Sequence, residues 1–142
     1  IQAQAVGANP VWLADVQMTD GWTVANLEQI AAWNPDKIFA VIHHSLDPVE
    51  VIARLKADLN WSKLKAAQGN EIWAFPADFY GWDNPEPRWL LGMQWLATRV
   101  HPELFADLDV QAEIYEYFGK LYDMDRADVD AHILPKVNLD VH

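Results

Sequence analysis

Two short stretches decide how this chain is read: Lys37-Ile38-Phe39-Ala40-Val41-Ile42 and Glu71-Ile72-Trp73-Ala74-Phe75. Each is a continuous apolar run rich in β-branched or aromatic residues. Turn residues bound them, Asn34-Pro35 before the first and Gly69-Asn70 and Pro76 around the second. Strands buried on both faces read this way. Between them Asp47 caps and Pro48 opens a helix whose Val51, Ile52, Leu55 and Leu59 share one face, with Glu50 in its first turn. Strand, helix, strand is a βαβ unit, whose crossover is right-handed in nearly all folds and makes the strands parallel. Both strands then end at one edge, so His43-His44-Ser45 and residues 78–88 are expected on one rim.

Working outward, Ile1-Gln2-Ala3-Gln4-Ala5-Val6-Gly7 reads as the last turns of a helix closed by glycine, so the chain is expected to start inside an element. Asn26 and Gln29 form a capping box before Leu27, Ile30 and Ala31, and Asn34-Pro35 ends that helix after about eight residues. Residues 87–100 are apolar almost all round, and a last amphipathic helix carries Val110, Ile114, Tyr117, Phe118 and Leu121. Residues 127–134 add a further turn or two. The expected architecture is α/β, a three-layer, Rossmann-like lobe with a small, mainly parallel sheet flanked by helices.

Composition narrows the function. With 21 acidic against 10 basic side chains among 142 residues, the net charge of -11 repels a phosphate backbone, so no nucleic-acid partner is expected. Zero cysteines remove iron-sulfur clusters, thiolate zinc sites and cysteine nucleophiles. No apolar run approaches the roughly 20 residues that span a bilayer, and the chain is read as not membrane-spanning. GxGxxG, GxxxxGK[ST], GxSxG and HExxH are all missing, which takes away the main sequence support for nucleotide, phosphoryl-transfer, α/β-hydrolase and zincin chemistry. The chain is read as a binding module rather than an enzyme.

The loop Asp78-Phe79-Tyr80-Gly81-Trp82-Asp83-Asn84-Pro85-Glu86-Pro87-Arg88 is the most informative segment, and loops of this kind carry function more often than packing. Tyr80 and Trp82 offer flat, partly apolar surface for a bulky ligand, and Arg88 a fork for a carboxylate or oxyanion. The plainer alternative is a proline-stiffened connection whose aromatics cap the core and whose Arg88 pairs with Asp83 or Glu86. His43 and His44 are candidates to line a cleft beyond the strand ends. Adjacent histidines at a strand end point in different directions and rarely chelate one ion, so no metal site is expected.

The order of motifs resembles a known family. Trp22-Thr23-Val24-Ala25-Asn26-Leu27-Glu28-Gln29-Ile30 followed by Ala32-Trp33-Asn34-Pro35-Asp36-Lys37-Ile38-Phe39 is similar to a signature of the periplasmic solute-binding proteins of ABC importers. The type is the helical-backbone class III that serves iron-siderophores, haem and cobalamin. Leu59-Asn60-Trp61, residues 65–73, Pro87-Arg88 and His101-Pro102-Glu103-Leu104-Phe105 follow in the same order and spacing. The resemblance implies that residues 1–142 are most of the C-terminal lobe of a two-lobed protein, without its first strand and without the N-terminal lobe. It implies an exported protein, periplasmic or attached to the cell surface, that captures a metal chelate and delivers it to an importer permease without a catalytic cofactor. Asp83, with Glu86 as neighbour, falls where the family's permease-docking acid lies. His43, His44, Tyr80 and Trp82 match its ligand-facing loops.

Three alternatives stand beside that reading. A molybdate- or tungstate-type oxyanion is the rival cargo, bound by Arg88, His43 and helix N-termini. A hydrolytic subdomain would use His43 or His44 as base with Asp78 or Asp83. An interaction module would anchor a protein partner through Trp82 and Tyr80.

Overall fold

The computed structural model describes residues 1–13 and 23–142, so Trp22 of the quoted signature lies outside the described residues. The chain forms two compact units. One comprises Ile1–Ala8 and Phe75–Leu139, the other Asn9–Ala74 and Asp140–His142.

The first unit is helical. α1 (Gln2–Ala5) ends as expected: Gly7 adopts φ 78°, its N–H reaches the Gln4 carbonyl at 3.0 Å, and the Ala8 N–H reaches Ala3 at 2.9 Å. This is a Schellman closure, and glycine supplies its left-handed residue.

The second unit begins with α2 (Leu27–Trp33), whose Asn26 and Gln29 make the reciprocal capping box, and Asn34 closes it in the left-handed region. β1 (Ile38–Ala40) follows, then α3 (Pro48–Ala57), capped by Asp47 on the Val49 N–H at 2.8 Å. A 3-10 turn (Trp61–Lys63), α4 (Lys65–Gln68) and β2 (Ile72–Ala74) complete it. The strands pair in parallel, Ile38 opposite Ile72 and Ala40 opposite Ala74. Ile52 from α3, Ala66 from α4, and Ile72 and Ala74 from β2 form the buried core of this unit, with Ile38, Leu55, Trp61 and Val141 packed against them. β1 is half-buried where the sequence predicts burial on both faces. The paired stretch is also shorter than the apolar runs: Pro76 stops β2 soon after Ala74, so three residues pair where six and five were expected.

The remaining helices belong to the first unit. They are α5 (Trp89–Val100), α6 (Val110–Tyr122) and α7 (Arg126–His132). α5 packs on α1 and α6, and α6 on α7. Trp82, Leu91, Trp95, Ile114, Phe118 and Val129 are fully buried. α5, apolar almost all round, is nevertheless buried on one side only, since Leu90 is 55% exposed while Leu91, Trp95 and Leu96 are buried. Asp109 and Asp125 cap α6 and α7 through backbone N–H groups. Among the described residues, no helix is long and apolar enough to cross a membrane.

Candidate functional site

The expected site residues divide between the units: His43 and His44 lie in the second, and Tyr80, Trp82, Asp83, Glu86 and Arg88 in the first. After β1 the chain turns at residues 43–46, closed by the Leu46 N–H on the His43 carbonyl at 2.9 Å. Both imidazoles are exposed and lie against each other, centroids 4.1 Å apart at 37°. Ser45 fixes the tautomer of His43. Its backbone N–H, which is only a donor, reaches His43 Nδ1 at 3.3 Å, and its Oγ lies 2.9 Å from the same nitrogen. Nδ1 is therefore the acceptor of neutral His43, and the proton sits on Nε2, where it makes a donor on an exposed side chain.

Residues 76–88 build a second feature. Ala77 and Gly81 bridge in antiparallel fashion, and between them Asp78 holds both main-chain groups of Tyr80. The Asp78 N–H donates to the Tyr80 carbonyl at 3.1 Å, and Asp78 Oδ1 accepts the Tyr80 N–H at 3.0 Å. Asp78 Oδ2 accepts from Arg88 Nε at 2.8 Å and from the Trp82 indole N–H at 3.4 Å. Phe79 and Tyr80, at the tip, are 58% and 63% exposed.

Trp82 is corrected by this geometry. Its ring has no accessible surface and belongs to the core, so it offers no platform to a ligand; of the two candidate aromatics, Tyr80 stays outside. Arg88 differs in the same way. It is buried, its Nη1 lies 3.2 Å from Glu86 Oε2, and its guanidinium stands 5.2 Å from the Tyr80 ring centroid and 5.6 Å from that of Tyr122. Burial opposes its charge, but the Asp78 bond and the nearby acids outweigh it and hold the guanidinium above its ordinary pKa. With two carboxylates on one cation the local charge is net negative, which disfavours the oxyanion fork expected of Arg88. The expected pairing with Glu86 is present, whereas the second acid is Asp78 rather than Asp83.

Asp83 is half-buried, and no ion pair engages it among the described residues; Glu86 is spent on the side chain and backbone N–H of Arg88. The N-termini of α2, α3, α6 and α7 are taken by their own caps, since Asn26, Asp47, Asp109 and Asp125 accept first-turn N–H groups there, whereas α5 has no side-chain cap. Sequence reasoning missed Asp78 as organiser of the tip and Ser45 as the residue that orients His43. The Asp78-x-Tyr80 spacing, an Asx-turn signal, was the one cue available.

The chain has known structural counterparts. A periplasmic solute-binding protein from Veillonella parvula superimposes with a TM-score of 0.73 at 21% identity, over 93% of this chain and 40% of that one. The fold is that of a periplasmic solute-binding protein lobe. Molybdate-bound MolA of Haemophilus influenzae gives 0.69 at 26% identity over 87% of this chain and 36% of that one. CeuE of Helicobacter pylori, in a nickel-histidine complex, gives 0.71 at 21% identity over 93% and 40%. In sequence, the molybdate-binding protein MolA is 27% identical over 103 residues, 72% of this chain. The chain spans 28% of that relative's length. No family model matches the chain.

Proposed function

We propose that this chain is one lobe of the substrate-binding component of an ABC importer, an exported protein that hands its cargo to a membrane permease. The cargo favoured here is a small tetrahedral oxyanion of the molybdate class rather than an iron-siderophore, haem or cobalamin. The observation that carries this choice is the His43–Ser45 arrangement, in which Nδ1 takes the Ser45 contacts and Nε2 is left as the donor of an exposed side chain on the loop after β1. An oxyanion is read by N–H and O–H donors, and each unit by itself carries an exposed side chain of that kind, His43 in the second and Tyr80 in the first. A bulky chelate calls instead for broad aromatic surface, and the burial of Trp82 removes the larger ring from that task. The likeness to MolA in sequence and in fold supports the same reading.

Binding in this account is capture without turnover, and release depends on the permease. The test is isothermal titration of the full-length protein with molybdate, tungstate, sulfate, a ferric siderophore, haem and cobalamin. Saturable binding of molybdate or tungstate, weakened at least tenfold in His43→Ala, is expected. Tight binding of a chelate with no response to molybdate would replace the oxyanion by the chelate cargo. Hydrolysis that depends on His43 or His44 would return the chain to the enzymes.

A further inference from the structure

Asp78 is fully buried as a side chain, yet the segment it organises ends in two exposed aromatic residues. Burying a carboxylate is costly unless it is paired and hydrogen-bonded, and here every bond it accepts comes from the loop or from Arg88. The tip is clamped from two sides. Asp78 fixes the Tyr80 main chain, and the Arg88 guanidinium, held by Asp78 Oδ2, stands near the Tyr80 ring. Tyr80 itself stays 63% exposed, and no hydrogen bond engages its hydroxyl among the described residues.

We infer that Asp78, acting with Arg88, is the positioning residue that presents the Tyr80 hydroxyl as a fixed donor to the cargo. The inference rests on the oxyanion reading above and adds residues that touch no ligand themselves. A donor held before the ligand arrives loses little conformational entropy on binding, which is where a buried clamp yields affinity. Asp78→Asn is the informative change. The amide must turn its NH2 either toward the Arg88 and Trp82 donors or toward the Tyr80 N–H, so one arm of the clamp is lost whichever way it faces.

The experiment uses the full-length protein and molybdate as probe, with four variants: Tyr80→Phe, Asp78→Asn, the double variant, and Arg88→Lys. Arg88→Lys keeps the charge and the Asp78–Tyr80 turn but lacks the Nε donor, and it serves if Asp78→Asn fails to fold. Chymotrypsin cleavage after Phe79 and Tyr80 reports the tip directly. The expected result is cleavage at least tenfold faster in Asp78→Asn, with molybdate affinity down about tenfold, as in Tyr80→Phe, and no further loss in the double variant. Unchanged cleavage would overturn the clamp. Faster cleavage with unchanged affinity, or affinities that fall additively, would overturn the link to the cargo. Molybdate binding that neither Tyr80→Phe nor Asp78→Asn alters overturns this inference and leaves the oxyanion reading standing; no binding by the wild type overturns both.

Discussion

Gly92 gives the sharpest test of how the first unit is packed. It lies within α5, where glycine costs about 0.5–1 kcal/mol relative to alanine, so on helix propensity alone Gly92→Ala stabilises. The surroundings reverse the sign. A Cβ there would stand 2.5 Å from the Trp82 carbonyl oxygen, 2.9 Å from Gln2 Nε2 and 3.2 Å from a Phe75 ring carbon. The nearest atom is backbone and cannot swing away, and the wedge also falls on the 2.9 Å hydrogen bond from Gln2 Nε2 to that carbonyl. Overpacking costs roughly 1–3 kcal/mol, and a lost hydrogen bond about 1. After subtracting the propensity gain, a net destabilisation of about 1–3 kcal/mol is expected. Gly119, in α6 of the same unit, is the control. Its Cβ would meet only the Met124 carbonyl at 3.6 Å, an ordinary contact, so Gly119→Ala should stabilise by about 0.5–1 kcal/mol. In urea, with a slope of roughly 2 kcal/mol per molar, Gly92→Ala lowers the midpoint by about 0.5–1.5 M and Gly119→Ala raises it by a few tenths. Tryptophan fluorescence and far-UV circular dichroism report both. An unchanged or raised midpoint for Gly92→Ala would refute the close approach of α5 to the carbonyl of Trp82.

Three further outcomes follow from the same physics. Trp82→Ala removes a fully buried indole and should cost about 3–5 kcal/mol in urea denaturation, while a ligand-platform role would have left stability nearly intact. Asp109→Ala leaves the N–H groups of Gln111 and Ala112 at the start of α6 without their carboxylate and should lower stability by about 1 kcal/mol, with Asp109→Asn recovering most of it. Burial works against ionisation of Glu71, but Lys37 at 2.6 Å and the Trp73 indole N–H at 2.9 Å outweigh it and hold its pKa below the ordinary 4.5. A carboxylate with a depressed folded pKa contributes stability that is complete above 4.5 and is lost as pH falls through the lower folded value. Glu71→Gln should therefore flatten the fall in stability below 4.5, as measured by urea midpoints across acid pH.

The local grammar of the sequence carried most of the fold. The Asn26 capping box, the Asp47-Pro48 start of α3 and the Gly7 closure of α1 are each written in neighbouring residues, and the parallel pairing of β1 with β2 follows from the strand-helix-strand order. What was not legible depends on partners far away in the chain. Trp82 reads either as a ligand platform or as an aromatic that caps the core, and only the folded unit decides for the core. Arg88 reads as a fork or as the partner of Asp83 or Glu86; the Glu86 pairing is present, but the other acid that takes it, Asp78, lies ten residues earlier, and Tyr122, whose hydroxyl is 3.4 Å from its Nη1, lies 34 residues later. His43 was a candidate from its place after a strand; its tautomer came from Ser45, a two-residue contact that spacing alone does not reveal.

The most direct measurement of the central claim is a crystal structure of the full-length protein soaked in tungstate, with anomalous differences collected at the tungsten edge. One strong peak is expected within hydrogen-bond reach of His43, His44 or Tyr80, displaced when the crystal is transferred to excess molybdate. A map without such a peak, or with the ion held elsewhere on the protein, would contradict it.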